Sequence, residues 1–296
     1  MDSDPAAAHP AGRALVTGGG GLLAHALAPE LERRGWAVSC PDRQALDVTD
    51  AAAVGEAFDA FRPDVVLHCA AYTSVDGAES EPGEAHRINQ GGTAIVAQAC
   101  GEEIMMVYPS TDYVFPGTAS TPYVPTCETR PLNVYGASKL AGELEVARRA
   151  PRHLIVRTSW LFGEGGKNFV DTMIGLAEEG RPSLSVVGDQ TSRPTWTADL
   201  ARALVDLLAL DETGLFHVAG GGVATWCELA REALALEGLT VPVRETTSVT
   251  FGAAATRPEY SVLDLGATEH ALGRPMRPWR EALSRYLAER PQGARR

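Results

Sequence analysis

Tyr135 and Lys139 stand four residues apart in the run Val134-Tyr-Gly-Ala-Ser-Lys139, so on a helix a phenol and an ammonium share one face. A nearby cation favours the phenolate. By that argument Lys139 lowers the pKa of Tyr135 and makes it a proton donor or acceptor near neutral pH. The cluster Ser110-Thr111-Asp112, upstream, offers hydroxyls that can polarise a carbonyl. A Tyr-x-x-x-Lys pair alone also fits a solvated helix face, so the surrounding elements decide.

Those elements begin with Arg13-Ala-Leu-Val-Thr17, a short β-type run, followed by four glycines at 18–21 and an amphipathic helical stretch at 22–34. Residues 36–40 read as the next strand. Strand, glycine turn, helix and strand form a βαβ unit, whose crossover implies parallel strands. Gly18, Gly21 and Ala24 fit G-x-x-G-x-x-A. Such a turn lets a pyrophosphate approach the backbone, while the helix start supplies N–H groups and positive potential. Four glycines also make a flexible turn; their place at the first βα junction favours a dinucleotide, with Leu22 and Leu23 beside it. At the end of the second strand, Asp42 suits ribose hydroxyls and hence NAD, whereas Arg43 suits a 2′-phosphate and hence NADP. A solvated loop charge is an equal reading of Arg43. Asp47 and Val48 lie where they would approach the adenine.

Next come a helix at 50–61 and a strand at 63–68. Small residues follow, so that a cofactor can pass over Ala70, Ala71 and Tyr72. His68 reads as packing at its strand end and not as a metal ligand. Residues 81–100 read as one long helix, with Pro82 in its first turn and Asn89 in a structural role. A strand at 104–108 ends in the Ser110 cluster, where doubly wound sheets place catalytic residues. A Pro/Thr/Gly-rich loop at 116–131 is expected to cover part of the site. A helix at 134–150 and a strand at 153–158 complete the regular half.

Beyond Trp160 the βα alternation weakens. Helices are expected at 168–179 and at 197–210, the latter capped by Thr197, and strands at 182–187 and 215–218. Gly220-Gly-Gly222 reads as a loop before Thr225-Trp-Cys-Glu228, a capping box. This half is expected to hold the substrate. Trp160 either packs on a ligand ring or joins the core, and Arg257 either pairs with a diphosphate oxygen or makes a structural ion pair. Asn168 and Gln190 are further polar candidates.

Composition bounds the rest. The chain has 296 residues, 45% hydrophobic and 22% charged, ordinary globular values that allow one large or two modest domains. A net charge of −12 argues against nucleic acid as a partner. Five scattered cysteines suggest reduced thiols, with neither a disulfide framework nor a zinc site. Residues 1–12 read as a ragged leader and not a signal peptide, the Arg295-Arg296 tail as a solvated end. No apolar run approaches the roughly 20 residues of a membrane span. A soluble, cytoplasmic chain without a metal is expected.

Gly18-x-x-Gly21-x-x-Ala24, Ala70-Ala71-Tyr72-Thr73, Ser110-Thr111-Asp112-Tyr113-Val114-Phe115 and Pro131-Leu-Asn-Val-Tyr135-Gly-x-x-Lys139 together resemble the extended short-chain dehydrogenase/reductase superfamily. More narrowly, Arg157-Thr158-Ser159-Trp160, Asp189-Gln190, Pro194-Thr195 and Arg257-Pro258-x-x-Ser261-x-Leu263-Asp264 resemble signatures of the dTDP-4-dehydrorhamnose reductase family. The resemblance covers nearly the whole chain. It implies an α/β fold, a Rossmann-type doubly wound parallel sheet with a smaller, interleaved α/β carboxyl-terminal substrate domain. The dinucleotide-binding part is expected over 12–158 plus about 180–212, the nucleotide-sugar part over about 159–179 and 213–296.

The resemblance further implies that NADPH or NADH delivers hydride to the C4 ketone of a dTDP-4-keto-6-deoxyhexose, foremost dTDP-4-dehydrorhamnose. Tyr135 would give the proton, Lys139 would lower its pKa and hold the nicotinamide ribose, and Thr111, with Ser110 as runner-up, would hydrogen-bond the same oxygen. Ser110 joins the cofactor contacts, and Thr73, Val75, Asp112, Tyr113, Trp160, Asn168 and Arg257 the substrate contacts. Other outcomes consistent with the resemblance are a reductase of another dTDP-deoxysugar, such as a streptose-type precursor, or a non-catalytic regulatory subunit on the same fold. Asp112-Tyr113 after the threonine argues against dehydratase chemistry, which uses Asp-Glu there. Arg193 departs from the small residue common before Pro-Thr, and either a monomer or a homodimer fits.

Overall fold

Apolar strands that run nearly without interruption need cover on both faces, and parallel strands with crossover helices provide it. The computed structural model describes residues 11–290 and shows that arrangement. In its first half, β1 (Gly12–Thr17), β2 (Trp36–Ser39), β3 (Val65–His68), β4 (Met105–Thr111) and β5 (His153–Thr158) alternate with helices. These are α1 (Leu22–Arg33), α2 (Ala51–Phe61), α3 (Val75–Ser80), α4 (Pro82–His86), α5 (Thr93–Cys100) and α6 (Val134–Arg149). The second half has short strands β6 (Leu161–Phe162), β7 (Leu184–Val187), β8 (Thr191–Ser192), β9 (Thr195–Trp196), β10 (Gly214–His217), β11 (Ala224–Thr225) and β12 (Val243–Thr246). Its helices are α7 (Phe169–Glu178), α8 (Thr197–Ala209), α9 (Trp226–Leu236), α10 (Ser248–Phe251), α11 (Gly266–Leu272) and α12 (Trp279–Glu289).

Six strands form one sheet in the order β10-β5-β4-β3-β1-β2, every pair parallel. Side chains alternate across it as the pleat requires. Ala14, Val16, Leu67, Val107 and Val156 pack with Leu27, Leu31, Leu200 and Leu204 of α1 and α8. Leu15, Val66, Met106 and Ile155 face Val54, Phe58, Val96 and Val146 of α2, α5 and α6. The strand order reverses at β1, which has β2 on one side and β3 on the other, so a crevice opens at their carboxyl ends.

A second core gathers Phe162, Ile174, Leu184, Trp196, Leu229, Trp279 and Leu283. Two strands sit differently from the sequence expectation. The strand β7, grouped there with the dinucleotide-binding part, pairs with β12 beside this second core, and β10, grouped with the substrate part, is an edge of the main sheet. Sequence cannot separate them, because a four-residue apolar run carries no record of its partner.

The expected helix over 81–100 forms as one continuous helical run from α4 through α5, with a π-bulge inside it. Between α4 and α5 lies a π-helical turn, Arg87–Gly92, whose extra residue turns Asn89 inward. Asn89 Oδ1 accepts from Tyr72 N at 2.7 Å, and its Nδ2 donates to Tyr72 O at 3.0 Å and Ser138 Oγ at 2.8 Å. Thr197 does not cap α8; Trp196 holds that position without a side-chain bond. The Thr197 hydroxyl faces Gly163, where a Cβ would meet it at 2.0 Å. The capping box at Thr225 and Glu228 is present as expected. No helix among the described residues is long and apolar enough to cross a membrane.

Candidate active site

The glycine turn between β1 and α1 is bare and tightly seated. Gly18 has φ +74°, and a Cβ there would meet the Ala70 backbone at 2.7 Å. A Cβ on Gly19 would meet Cys40 O at 2.3 Å, whereas nothing lies within 4 Å of one on Gly20. The helix that follows starts at Gly21 with no side-chain cap and no acid in its first turn, so its leading N–H groups are left for an anion. This cradle fits a dinucleotide's pyrophosphate.

The turn opens into a cavity of about 890 Å³, within the range of small-molecule sites. Gly18, Gly21, Leu22, Leu23, Arg43, Asp47, Val48, Ala70, Ala71, Thr73 and Val75 line it, with Ser110, Thr111, Asp112, Tyr113, Tyr135, Lys139, Trp160, Asn168 and Arg257. Three expected contacts lie outside that lining, among them Gln190, which donates to Ser248 Oγ at 2.8 Å and accepts from Trp226 Nε1 at 3.1 Å. Asp42 Oδ1 instead accepts from the N–H groups of Gln44 and Ala45 at 2.9 and 3.0 Å, closing its own turn. The Tyr72 phenol donates to Glu81 at 2.8 Å. The loop at 116–131 also contributes nothing to the lining. It is fastened elsewhere: Tyr123 stacks on Phe115 with centroids 4.2 Å apart and bridges to Leu263.

Thr111 ends β4 and faces Thr158 of β5 in register. Its hydroxyl accepts from Tyr113 N at 3.1 Å and donates to Asp112 Oδ1 at 3.2 Å. The Asp112 carboxylate is buried and takes further bonds from Ser192 and Ser261, yet burial still pushes its pKa up to about 6. Ser110 does not face an incoming carbonyl freely, since its hydroxyl donates to Glu143 at 2.5 Å. Glu143 in turn holds Arg157 through two bonds, at 2.9 and 2.7 Å.

Tyr135 opens α6, which Asn133 caps by accepting from Gly136 N at 2.7 Å. The phenol is edge-on to Tyr113, with ring centroids 6.2 Å apart. One expectation fails here. Lys139 does not depress the Tyr135 pKa; burial, reinforced by the Asp112 charge, raises it to about 12. Lys139 is itself buried and pushed down to about 7, with Glu143 pulling the other way. Its Nζ donates to Pro109 O at 2.7 Å and lies 4.0 Å from the centre of the Tyr108 ring. A half-charged amine spent on a carbonyl gives the phenol little help.

Trp160 lines the cavity, but one face is taken by Trp226, stacked at 3.6 Å, and Phe169 leans on Trp226 at 4.5 Å. Asn168 spends its polar atoms locally, capping α7 through Asp171 N and donating to Gly163 O at 2.9 Å. Arg257 forms a forked pair with Asp76, at 3.1 and 2.7 Å. His68 bonds Thr17 at 2.8 Å and Thr93 at 3.2 Å, and burial holds it neutral with a pKa near about 3. Among the described residues no cluster of acids, histidines and cysteines is arranged for a metal.

Sequence reasoning missed Lys167, Phe169, Trp226 and Thr158, which all line the cavity. Lys167 carried a usable signal, being one of two lysines in the chain and set behind two glycines. Trp226 carried none, because its role depends on a stacking partner remote in sequence.

A parallel sheet whose switch point lies beneath a bare glycine turn, with tyrosine and lysine one helical turn apart at its rim, is the architecture of extended short-chain dehydrogenases and reductases. Within that class, the chain belongs to the dTDP-4-dehydrorhamnose reductase family. The family model for the RmlD substrate binding domain matches residues 12–291. A dTDP-4-dehydrorhamnose reductase of Streptomyces griseus is 46% identical over 284 residues, covering 93% of each chain. A dTDP-4-keto-6-deoxy-D-glucose reductase of Streptomyces niveus is 39% identical, over 92% of this chain and 95% of that one. The crystal structure of dTDP-4-dehydrorhamnose reductase from Bacillus anthracis in complex with NADP superposes with a TM-score of 0.91 at 38% identity, covering 94% and 99%.

Proposed function

We propose that this chain reduces the C4 ketone of a dTDP-4-keto-6-deoxyhexose with NADPH or NADH, foremost dTDP-4-dehydrorhamnose to dTDP-L-rhamnose. The observation that carries it is the convergence of Thr111, Tyr135 and Lys139 on one cavity with the glycine turn. A reduced nicotinamide dinucleotide on that turn supplies the hydride.

Tyr135 gives its proton to the oxygen of the former ketone as the alkoxide forms, so ketone, hydride and proton balance to alcohol. A phenol held near about 12 keeps its proton at neutral pH and still loses it readily to an alkoxide, a far stronger base. Thr111 turns its one O–H from the long 3.2 Å bond to Asp112 onto the same oxygen as charge develops. Lys139, one helical turn along α6 from Tyr135, holds the nicotinamide ribose. The Trp160 wall, Arg257 and the cavity beyond Asp112 face the nucleotide-sugar. We assign the main sheet to the dinucleotide and the part around the second core to the sugar nucleotide, in a cytoplasmic chain whose five cysteines are all free.

The test is oxidation of NADPH and NADH with dTDP-4-dehydrorhamnose and with dTDP-4-keto-6-deoxy-D-glucose, run beside Tyr135→Phe. Turnover that falls about 10²- to 10⁴-fold in the variant supports both substrate class and proton donor. Absence of turnover with either sugar sinks the function, whereas undiminished turnover in Tyr135→Phe sinks only the role of the tyrosine.

A further inference from the structure

We propose that Lys167 is a diphosphate-binding residue, carried by a glycine-rich clasp that joins the start of α1 to the aromatic wall of the cavity. The inference rests on the reductase reading and extends its site to a residue outside the motifs.

The chain contains two lysines, Lys139 and Lys167, and both line the same cavity. Four cationic side chains line it in all. Lys139 donates to Pro109 O, Arg43 lies 3.8 Å from Glu84, and Arg257 is paired with Asp76. Lys167 alone has no ion-pair or hydrogen-bond partner among the described residues. Lys167 is exposed where it lines the cavity, so in a chain of net charge −12 its ammonium is available to an incoming anion.

The backbone around Lys167 is built for that place. Gly165 has φ +91°, and a Cβ there would meet His25 Cβ of α1 at 2.4 Å. A Cβ on Gly166 would sit 3.4 Å from Leu22 Cγ and 4.0 Å from Leu22 N, so the loop lies on the uncapped first turn of α1. Glu164 and His25 approach to 3.8 Å on the outer side. At its far end Asn168 pins the loop to α7, beside Phe169 and the Trp160–Trp226 stack. Lys167 therefore stands between the pyrophosphate cradle and the substrate wall. The diphosphate of the dinucleotide and that of the nucleotide-sugar present the same chemistry to it.

Binding, not turnover, distinguishes them. The full chain, Lys167→Ala and Lys167→Arg would each be titrated calorimetrically with NADP⁺, dTDP and thymidine. The expected result is a loss of about tenfold in affinity of Lys167→Ala for dTDP or for NADP⁺, restored by Lys167→Arg, with thymidine unaffected. Whichever ligand weakens identifies the diphosphate that Lys167 holds. Affinities for both ligands within about twofold of the unsubstituted chain overturn the proposal, as does an equal loss for thymidine and dTDP. An unsubstituted chain that binds neither ligand sinks the reductase reading itself, and this inference with it.

Discussion

Ser261 donates a 2.5 Å hydrogen bond to Asp112 Oδ2, tying the second half of the chain to the residue that follows Thr111 at the end of β4. Ser192 bonds the same oxygen at 3.1 Å, and Thr111 bonds the other at 3.2 Å. Three hydroxyls do not fully replace water around a buried carboxylate, so its pKa stands at about 6 against an ordinary 3.8. Between those values the folded chain holds a proton that the unfolded chain has lost. The stability Asp112 contributes is thus complete below pH 3.8 and gone above about pH 6, a change of roughly 3 kcal/mol. Asp112→Asn removes this slope. In urea titrations, the stability of Asp112→Asn relative to the unsubstituted chain should rise from pH 4 to pH 7; a constant difference would refute the assignment.

Lys139 follows the opposite convention and reaches a related outcome. Its folded pKa of about 7 lies below the ordinary 10.5, so across that window the unfolded chain binds a proton the folded chain refuses. Stability on this account rises with pH from 7 to 10.5 and is lowest below 7. Lys139→Met should therefore stabilise the ligand-free chain near pH 6.5, by up to about 5 kcal/mol less whatever the lost Pro109 contact contributes, while abolishing reduction. The gain should vanish toward pH 10.5. A destabilised Lys139→Met chain at pH 6.5 would show that the Pro109 contact outweighs the buried charge.

Arg43 sets the expected cofactor preference. The sequence offered Asp42 for ribose hydroxyls and Arg43 for a 2′-phosphate without a way to choose. The structure turns Asp42 into its own loop and leaves Arg43 on the cavity with 74% of its side chain exposed and one long contact to Glu84. Arg43→Ala should raise KM for NADPH about tenfold and change that for NADH by less than about twofold. Equal effects on both would remove Arg43 from the 2′-phosphate.

What the sequence made legible was whatever depends on neighbours in the chain. The βα alternation, the glycine turn, the capping box at Thr225 and the shared face of Tyr135 and Lys139 are all local patterns, and the structure contains them. The ion pair of Arg257 with Asp76, the Trp160–Trp226 stack and the pairing of β7 with β12 depend on contacts between distant segments. No periodicity encodes them. The pKa of Tyr135 was misjudged for a related reason: proximity in sequence supplied the cation, but burial and Asp112 decide the balance.

Glu143 lies one turn beyond Lys139 on α6, and its carboxylate joins three groups of the site. It accepts from Ser110 at 2.5 Å, grips Arg157 through two bonds, and favours the charged form of Lys139. The pair with Arg157 is almost wholly buried, with side-chain exposures of 5% and 6%. Breaking such a pair from one side leaves an uncompensated charge, so Glu143→Leu should destabilise the chain by about 3 to 5 kcal/mol. Removing both charges is far milder, because the desolvation cost of each leaves with it. Glu143→Leu/Arg157→Met should recover most of that loss, giving a coupling of at least about 2 kcal/mol in a double-mutant cycle followed by urea unfolding. Additive losses would show that the two side chains contribute separately, and that the buried pair is not the unit that holds Ser110 and the base of α6 in place.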